Sequence, residues 1–454
     1  MTIGCAKHRP SDHRPRLAVG ANQEIIHAGH VDQKLHLPGQ QEIERNGAVV
    51  LMQQDLAFCH LPHFGGLRET ANHIPLDILE KCKFSEFSEF RCFHHCGYPY
   101  QAVSSQYRMS CCYRVICLAD LRQSSKNPLL LIYSRIMRRH FKPDHTKPRD
   151  FDLFWQETLN KLDGIDPDPI VTATEHSASH PGLVLEYVTY LSLGGVRITG
   201  LLTHWQDNLP RPLVVYSHGY GCRCMPQWSW AETGLNCFGV DVRGFGRSLD
   251  ALAAPSHWGW VLNGIASPET SVIRGAVCDY IQGAYVAERV LPNPTTHYTF
   301  HGVSFAGALA LKSASVLGSP DLLAVGVPTF GWTEGRYIFV KSGSGAQINH
   351  YLANHPERLD DVMLVMRYFD PVNFADTVHC PALIGLGLKD EVVPAKTVYA
   401  IANHLSGPRE IMEFPVSHTD LPEERLWRRF EQYWLQLTID GINSDFGVHR
   451  FPDG

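Results

Sequence analysis

An α/β fold, a mostly parallel twisted sheet with helices on both faces, is predicted by two features of the sequence. From Phe151 onward, short apolar runs at 212–217, 236–242, 299–303, 322–327, 382–388 and 410–414 alternate with stretches of helical periodicity. Runs that are apolar at every position belong to strands buried on both sides, and their alternation with helices marks a parallel sheet. The second feature is a Gly-x-Ser-x-Ala sequence placed where one such run gives way to a helical stretch.

The elements follow in order. Phe151, Phe154, Trp155, Leu159 and Leu162 recur at helical spacing, which gives an amphipathic opening helix. Residues 183–192 and 195–205 form a hairpin-like pair around a Leu-Gly-Gly link. The apolar runs then supply the parallel strands. The segment 332–370 interrupts that pattern and is expected to form helices that cover the strand ends, a lid or rim that would narrow a pocket there.

Composition excludes several alternatives. The chain has 454 residues, 44% hydrophobic and 19% charged, which rules out disorder throughout, collagen-like repeats and coiled coil. A formal net charge of −6 gives no electrostatic reason to expect nucleic acid or an anionic membrane as partner. No apolar run approaches the 18 or so residues of a bilayer span, and the first thirty residues hold no apolar signal core. The expectation is a soluble, cytoplasmic protein.

A break in composition lies near Met137. Eight of the 13 cysteines and ten of the 25 histidines precede it, in a stretch whose fifteen basic and twelve acidic side chains leave −9 for the rest of the chain. Residues 1–136 show neither helical nor strand periodicity, so they are expected to be a poorly structured, dispensable N-terminal extension. Residues 137–442 would form the catalytic domain and 443–454 a tail. Cys92, His94, His95, Cys96, Cys111 and Cys112 are zinc-binding residue types, but their crowding lacks the spaced pairs of a structural zinc site. No metal and no cofactor are expected.

The chemistry is carried by His301-Gly302-Val303-Ser304-Phe305-Ala306-Gly307. A strand that ends in this way before a helix is a nucleophile elbow: the serine takes a strained backbone, and small neighbours let strand and helix pass closely. Ala306 stands where a second glycine is usual, with Gly307 following. A serine hydroxyl needs an imidazole to remove its proton and an acid to orient that imidazole. In α/β-hydrolases these partners follow in the order Ser, Asp or Glu, His, on loops after strands. Asp390 follows the run 382–388 and His418 follows 411–414, so they are the acid and the base. Glu391 and His404 are the weaker rivals, His404 because it sits late in a helical stretch.

An acyl transfer also needs donors aimed at the oxyanion. The backbone N–H of Phe305 would be one. The turn His218-Gly219-Tyr220-Gly221 after the strand at 212–217 offers Tyr220 N–H as the other, with His218 beneath it as a structural histidine. Cys222 and Cys224 are spectators. Arg243 is expected to tie loops together, and Trp258, Trp260 and Tyr280 to lie in the core rather than to stack on a sugar.

Taken with 241–248 (Asp-Val-Arg-Gly-Phe-Gly-Arg-Ser), 368–375 (Tyr-Phe-Asp-Pro-Val-Asn-Phe-Ala) and the opening Lys147-Pro148-Arg149-Asp150-Phe151, these motifs make residues from about 147 to 437 resemble the acetyl xylan esterase and cephalosporin C deacetylase family of α/β-hydrolases. The resemblance implies a serine carboxylesterase that removes acetyl groups from sugars or similar small molecules through an acyl-enzyme on Ser304, without a metal, in a homo-oligomer that is often a ring of dimers. It places Ser304, Asp390 and His418 on the triad, the amides of Tyr220 and Phe305 on the oxyanion hole, and Tyr220 and Val392 at the substrate. An acetylated oligosaccharide is the implied partner. This chain departs from the family at Phe245 and Phe305, where glutamines are usual, and at Thr419, where glutamate is usual. A backbone donor survives such changes, so ester chemistry is expected to persist with altered pocket polarity and altered acyl or sugar preference. The rival readings are a peptide or thioester hydrolase of the same fold and a non-catalytic hydrolase-fold binding protein.

Overall fold

The computed structural model describes residues 139–318, 320–419, 424–442 and 446. The cysteine and histidine cluster before Met137 lies outside the described residues, as does nearly all of the 443–454 tail.

Among the described residues, nine strands form one sheet in the order β1-β2-β3-β5-β4-β6-β7-β8-β9. They are β1 (Ile170–His176), β2 (Leu183–Ser192), β3 (Val196–Trp205), β4 (Arg211–Ser217), β5 (Asn236–Asp241), β6 (Thr295–Val303), β7 (Leu322–Gly326), β8 (Ala382–Gly387) and β9 (Arg409–Phe414). From β5 to β9 every neighbouring pair is parallel, whereas β1, β2 and β3 join antiparallel at the other edge. The expected hairpin is β2 and β3, paired from Leu183 with Trp205 to Ser192 with Val196. Sequence reading missed β1, because every one of its residues is exposed and it carries no apolar pattern to detect.

The central runs carry apolar residues at successive positions because each side of the sheet has its own core, whereas edge strand β9, with Glu410 and Glu413, buries every second residue. Along β4, Leu213 and Val215 join one hydrophobic cluster and Val214 and Tyr216 the other. Strand β8 divides likewise, with Ala382, Ile384 and Leu386 on one side and Leu383 on the other. The larger core lies under the opening helix α1 (Phe151–Asp163), α3 (Val272–Val290) and α4 (Phe305–Leu317). The smaller lies under α2 (Trp228–Glu232) and the last helix, α10 (Glu424–Asp440), which inserts Phe430 and Trp434. Each buried side chain of this size contributes roughly 1.5–3 kcal/mol by leaving water.

After β7 come α5 (Thr333–Phe339), α6 (Gly343–Asn354) and α7 (Leu359–Arg367), then the short α8 (Val372–Ala375); α9 (Ala395–Ala402) lies between β8 and β9. The segment 332–370 is therefore helical, as its break in strand pattern predicts. Ser304, Asp390 and His418 follow β6, β8 and β9, so all three stand at the carboxyl edge of the parallel strands, where open α/β sheets place their sites.

Candidate active site

The elbow at Ser304 is built from two requirements. A Cβ on Gly302 would come within 2.3 Å of the Ala306 carbonyl carbon, so strand and helix cross too closely for any other residue there. Ser304 itself has φ 60° and ψ −116° at the N-terminus of α4. Such a backbone costs about 1–3 kcal/mol in a non-glycine residue. It is offset by three hydrogen bonds: Ser304 N–H donates to Gly326 O at 2.8 Å, and its carbonyl accepts from Ala308 N–H at 3.1 Å and Thr329 N–H at 3.2 Å. At about 0.5–1.5 kcal/mol each, these bonds match the strain they hold. Ala306 fits where a glycine is usual, because the close approach falls on its backbone.

Asp390 and His418 meet. His418 Nδ1 pairs with Asp390 Oδ2, and the same oxygen accepts from His418 N–H at 3.1 Å. Asp390 Oδ1 accepts from Val392 N–H at 3.0 Å and Val393 N–H at 2.8 Å. Burial works against ionisation of this carboxyl, but the four bonds outweigh it and hold the group below the usual carboxylate range. Charge-assisted bonds of about 1.5–3 kcal/mol each exceed a desolvation penalty of several kcal/mol. Because Nδ1–H faces an ionised carboxylate, Nε2 is left free to accept a proton. Ser304 Oγ forms no hydrogen bond among the described residues, His418 included; one half of the predicted relay is closed in this structure and the other half is not.

His404 is engaged elsewhere. His404 Nδ1 bonds Ala400 O at 2.6 Å just past the end of α9, and Glu391 is exposed. His218 accepts from Val242 N–H at 3.3 Å through Nε2 while Nδ1 faces Gly219 O at 2.8 Å, so it braces the turn from below, and burial lowers its pKa. The Arg243 guanidinium makes two bonds to Asp279, at 2.9 and 2.7 Å, and one to Leu193 O at 3.0 Å, tying the loop after β5 to α3 and the hairpin.

Neither Tyr220 N–H nor Phe305 N–H donates to a protein acceptor among the described residues, so both amides are available. Around them stands an aromatic box. The Phe245 ring is stacked on Trp260 at 4.9 Å, and Phe305 lies 5.1 Å from Trp260 and 5.7 Å from Tyr220. Phe305 is fully buried, so its side chain is core while its amide starts the helix. Trp260 and Tyr280 are buried as expected, with Tyr280 Oη donating to Val215 O at 2.6 Å. Val392 is half-buried beside the acid loop.

Sequence reasoning missed what stands behind Phe305. Lys312, Arg336 and Asp370 are all buried around Phe330, with the Arg336 guanidinium 4.2 Å and the Lys312 ammonium 5.4 Å from the ring centre. Asp370 accepts from Trp332, Thr333 and Val372 amides and so pins the loop after β7, in which Val327, Phe330 and Trp332 all have positive φ. Charged residues scattered over two helices and a loop leave no motif by which sequence could gather them.

A cavity of about 270 Å³ lies by Arg243, Glu269 and Arg274, and none of Ser304, Asp390 and His418 lines it. Among the described residues, no group of three or more His, Cys, Asp or Glu side chains is arranged to hold a metal ion, and no helix is long and apolar enough to cross a membrane.

Residues 136–429 match the family model described as Acetyl xylan esterase (AXE1). The chain belongs to the acetyl xylan esterase family. The chain is 24% identical over 332 residues to "Acetyl esterase Axe7A" of Xylanibacter ruminicola, covering 66% of this chain and 69% of that one. An acetyl xylan esterase from Paenibacillus sp. R4 superposes with a TM-score of 0.59 at 25% identity, covering 65% of this chain and 98% of the other. Acetyl xylan esterase 1 from Thermoanaerobacterium sp. JW/SL YS485 shares the fold, with a TM-score of 0.57, 20% identity and coverage of 66% and 98%. The fold is thus that of α/β-hydrolase esterases, and this member of the acetyl xylan esterase family is a hydrolase of carboxylic esters.

Proposed function

We propose that the protein is a serine esterase that cleaves short-chain acetyl esters of sugars or similar small alcohols through an acyl-enzyme on Ser304. The observation that carries this reading is the strained Ser304 at the carboxyl edge of the sheet, the same edge that holds the carboxylate-bound imidazole, with two unengaged amides in the loops after β4 and β6. His418 Nε2 takes the Ser304 hydroxyl proton as Oγ attacks the ester carbonyl. The charge that develops on the carbonyl oxygen is received by Tyr220 and Phe305 N–H. Collapse breaks the ester C–O bond, and the proton on Nε2 passes to the departing alcohol. Water, deprotonated by the same imidazole, then attacks the acetyl-serine, and acetate leaves as Oγ regains its proton. Asp390 keeps Nδ1–H in place throughout.

The cover formed by α5 to α7 and the aromatic box of Tyr220, Phe245, Trp260 and Phe305 support a small, apolar acyl site, with Tyr220 and Val392 as substrate contacts. The relatives, an acetyl esterase and two acetyl xylan esterases, support the acetyl group. The experiment is a panel of 4-nitrophenyl acetate, butyrate and octanoate, an acetylated xylo-oligosaccharide, cephalosporin C and an acetyl anilide, with wild type and Ser304→Ala compared and the mass in solution measured alongside. Rapid turnover of the acetyl esters by wild type alone is expected. An anilide or octanoate preference, or activity retained in Ser304→Ala, would contradict it.

A further inference from the structure

Helix α6, part of the cover, touches both loops of the site through single residues. Tyr220 Oη donates to Gln347 Oε1 at 2.6 Å and accepts from Val261 N–H at 3.0 Å. Gln347 is half-buried on α6, in a space that exists because residue 259 is glycine: a Cβ there would lie 2.2 Å from Gln347 Oε1. At the start of the same helix, a Cβ on Gly343 would stand 3.0 Å from Val392, whose amide bonds Asp390. The helix is itself braced. Asn349 Nδ2 donates to Tyr337 O at 3.0 Å and Val340 O at 2.9 Å, and Ser344 Oγ accepts from Arg336 at 2.9 Å. Arg336 lies on Phe330, and Phe330 packs edge-on against Phe305 at 6.2 Å.

A closed circuit results. It runs from the residue that supplies one oxyanion amide, Phe305, through Phe330, Arg336 and Ser344 to α6, and from Gln347 to the residue that supplies the other, Tyr220. We propose that Gln347 is a positioning residue: by accepting the Tyr220 hydroxyl it fixes the Tyr220 backbone N–H at its working distance from the Phe305 amide. This rests on the serine-esterase reading above. The rest of the Tyr220 ring is held by apolar faces, which restrain it but give it no directional anchor. Burial raises the phenol to about 12, so it remains a donor across the working range. Oxyanion donors act only when preorganised, since a displaced donor must reorganise as the charge forms. Losing the anchor should therefore lower kcat more than it raises KM.

The test uses the full chain with 4-nitrophenyl acetate. Gln347→Leu should lower kcat about 3- to 10-fold, the range of one neutral hydrogen bond, with KM within about twofold. Tyr220→Phe, which also removes the bond from Val261 N–H, should cost at least as much, and the double variant no more than Tyr220→Phe alone, because the bond to Gln347 is already lost in it. Gln347→Glu keeps the acceptor and should stay within about twofold of wild type. The affinity of a phenylboronic acid, whose adduct carries the tetrahedral charge, should fall in parallel with kcat/KM. Unchanged kcat in folded Gln347→Leu, multiplicative losses in the double variant, or boronate affinity that does not follow kcat/KM would each overturn the positioning role. If Gln347→Leu does not fold, Gln347→Met, which keeps the length of the side chain and removes only the acceptor, decides the matter by the same numbers. A wild type without Ser304-dependent hydrolysis would instead remove the esterase mechanism on which the proposal rests.

Discussion

The rings of Phe245 and Phe305 meet edge to face, 5.9 Å apart at 72°. These are the two positions where glutamine is usual in the family that the sequence resembles, and they are neighbours in space though far apart in sequence. Their joint replacement has a physical reason. A single glutamine left against the remaining ring would bury an amide with nothing to bond, at about 1–3 kcal/mol, whereas the paired rings gain about 0.5–1.5 kcal/mol from their geometry.

Restoring one glutamine should therefore be worse than restoring both. We expect Phe305→Gln to destabilise the protein by about 1–3 kcal/mol and Phe245→Gln/Phe305→Gln to recover part of that loss, a coupling readable in denaturant titrations. Strictly additive losses would show that the two rings do not act as a pair.

The orientation of Asp390 allows a sharper expectation. Two amides, from Val392 and Val393, point at Oδ1, so in Asp390→Asn that position keeps the carbonyl and the NH2 faces His418. The imidazole must then accept at Nδ1 and carry its proton on Nε2, the wrong tautomer for a base. Turnover of 4-nitrophenyl acetate should fall by a factor on the order of 10⁴, with a stability loss of about 1–3 kcal/mol because His418 N–H then faces an NH2 in place of an acceptor. A loss below tenfold would mean that Asp390 does not set the tautomer.

The parallel strands, the strand-to-helix turn at Ser304 and the meeting of Asp390 with His418 were legible because each rests on local chemistry: mostly apolar runs, glycine where strand meets helix, a carboxylate and an imidazole just past strand ends. Edge strand β1 was not, since Ile170 and Val171 face solvent and pattern without burial carries no signal. Gln347 was not, since an amide in a helix acquires a role only when folding brings it to Tyr220. The departures at Phe245 and Phe305 were visible as isolated changes, and only the structure makes them one feature.

Lys312 gives a pH dependence of stability. Burial lowers its amine from 10.5 to about 7, with Arg336 adding to the effect and Asp370 opposing it. Between pH 7 and about 10.5 the unfolded chain holds a proton that the folded protein does not, so this residue makes stability rise with pH across that window; as pH falls toward 7 the contribution is lost. Lys312→Met should flatten the slope and raise the melting temperature most at or below pH 7. An unchanged slope would place the amine in water.

The family match begins at residue 136, and Arg139 is fastened to Glu413 at 2.8 Å while its carbonyl accepts from Asn403 at 2.7 Å. We propose that residues 1–136 are dispensable. A chain starting at Met137 should retain kcat within about twofold and the same melting temperature, and failure of that chain to fold would contradict this.

The role of Ser304 is tested most directly by covalent labelling. After reaction with a fluorophosphonate, peptide mass analysis of the wild type should find one adduct, on Ser304, formed in step with loss of acetyl ester hydrolysis, and His418→Ala should scarcely label. Full inactivation with the adduct on another residue, or hydrolysis that continues with Ser304 fully labelled, would contradict a serine nucleophile at this position.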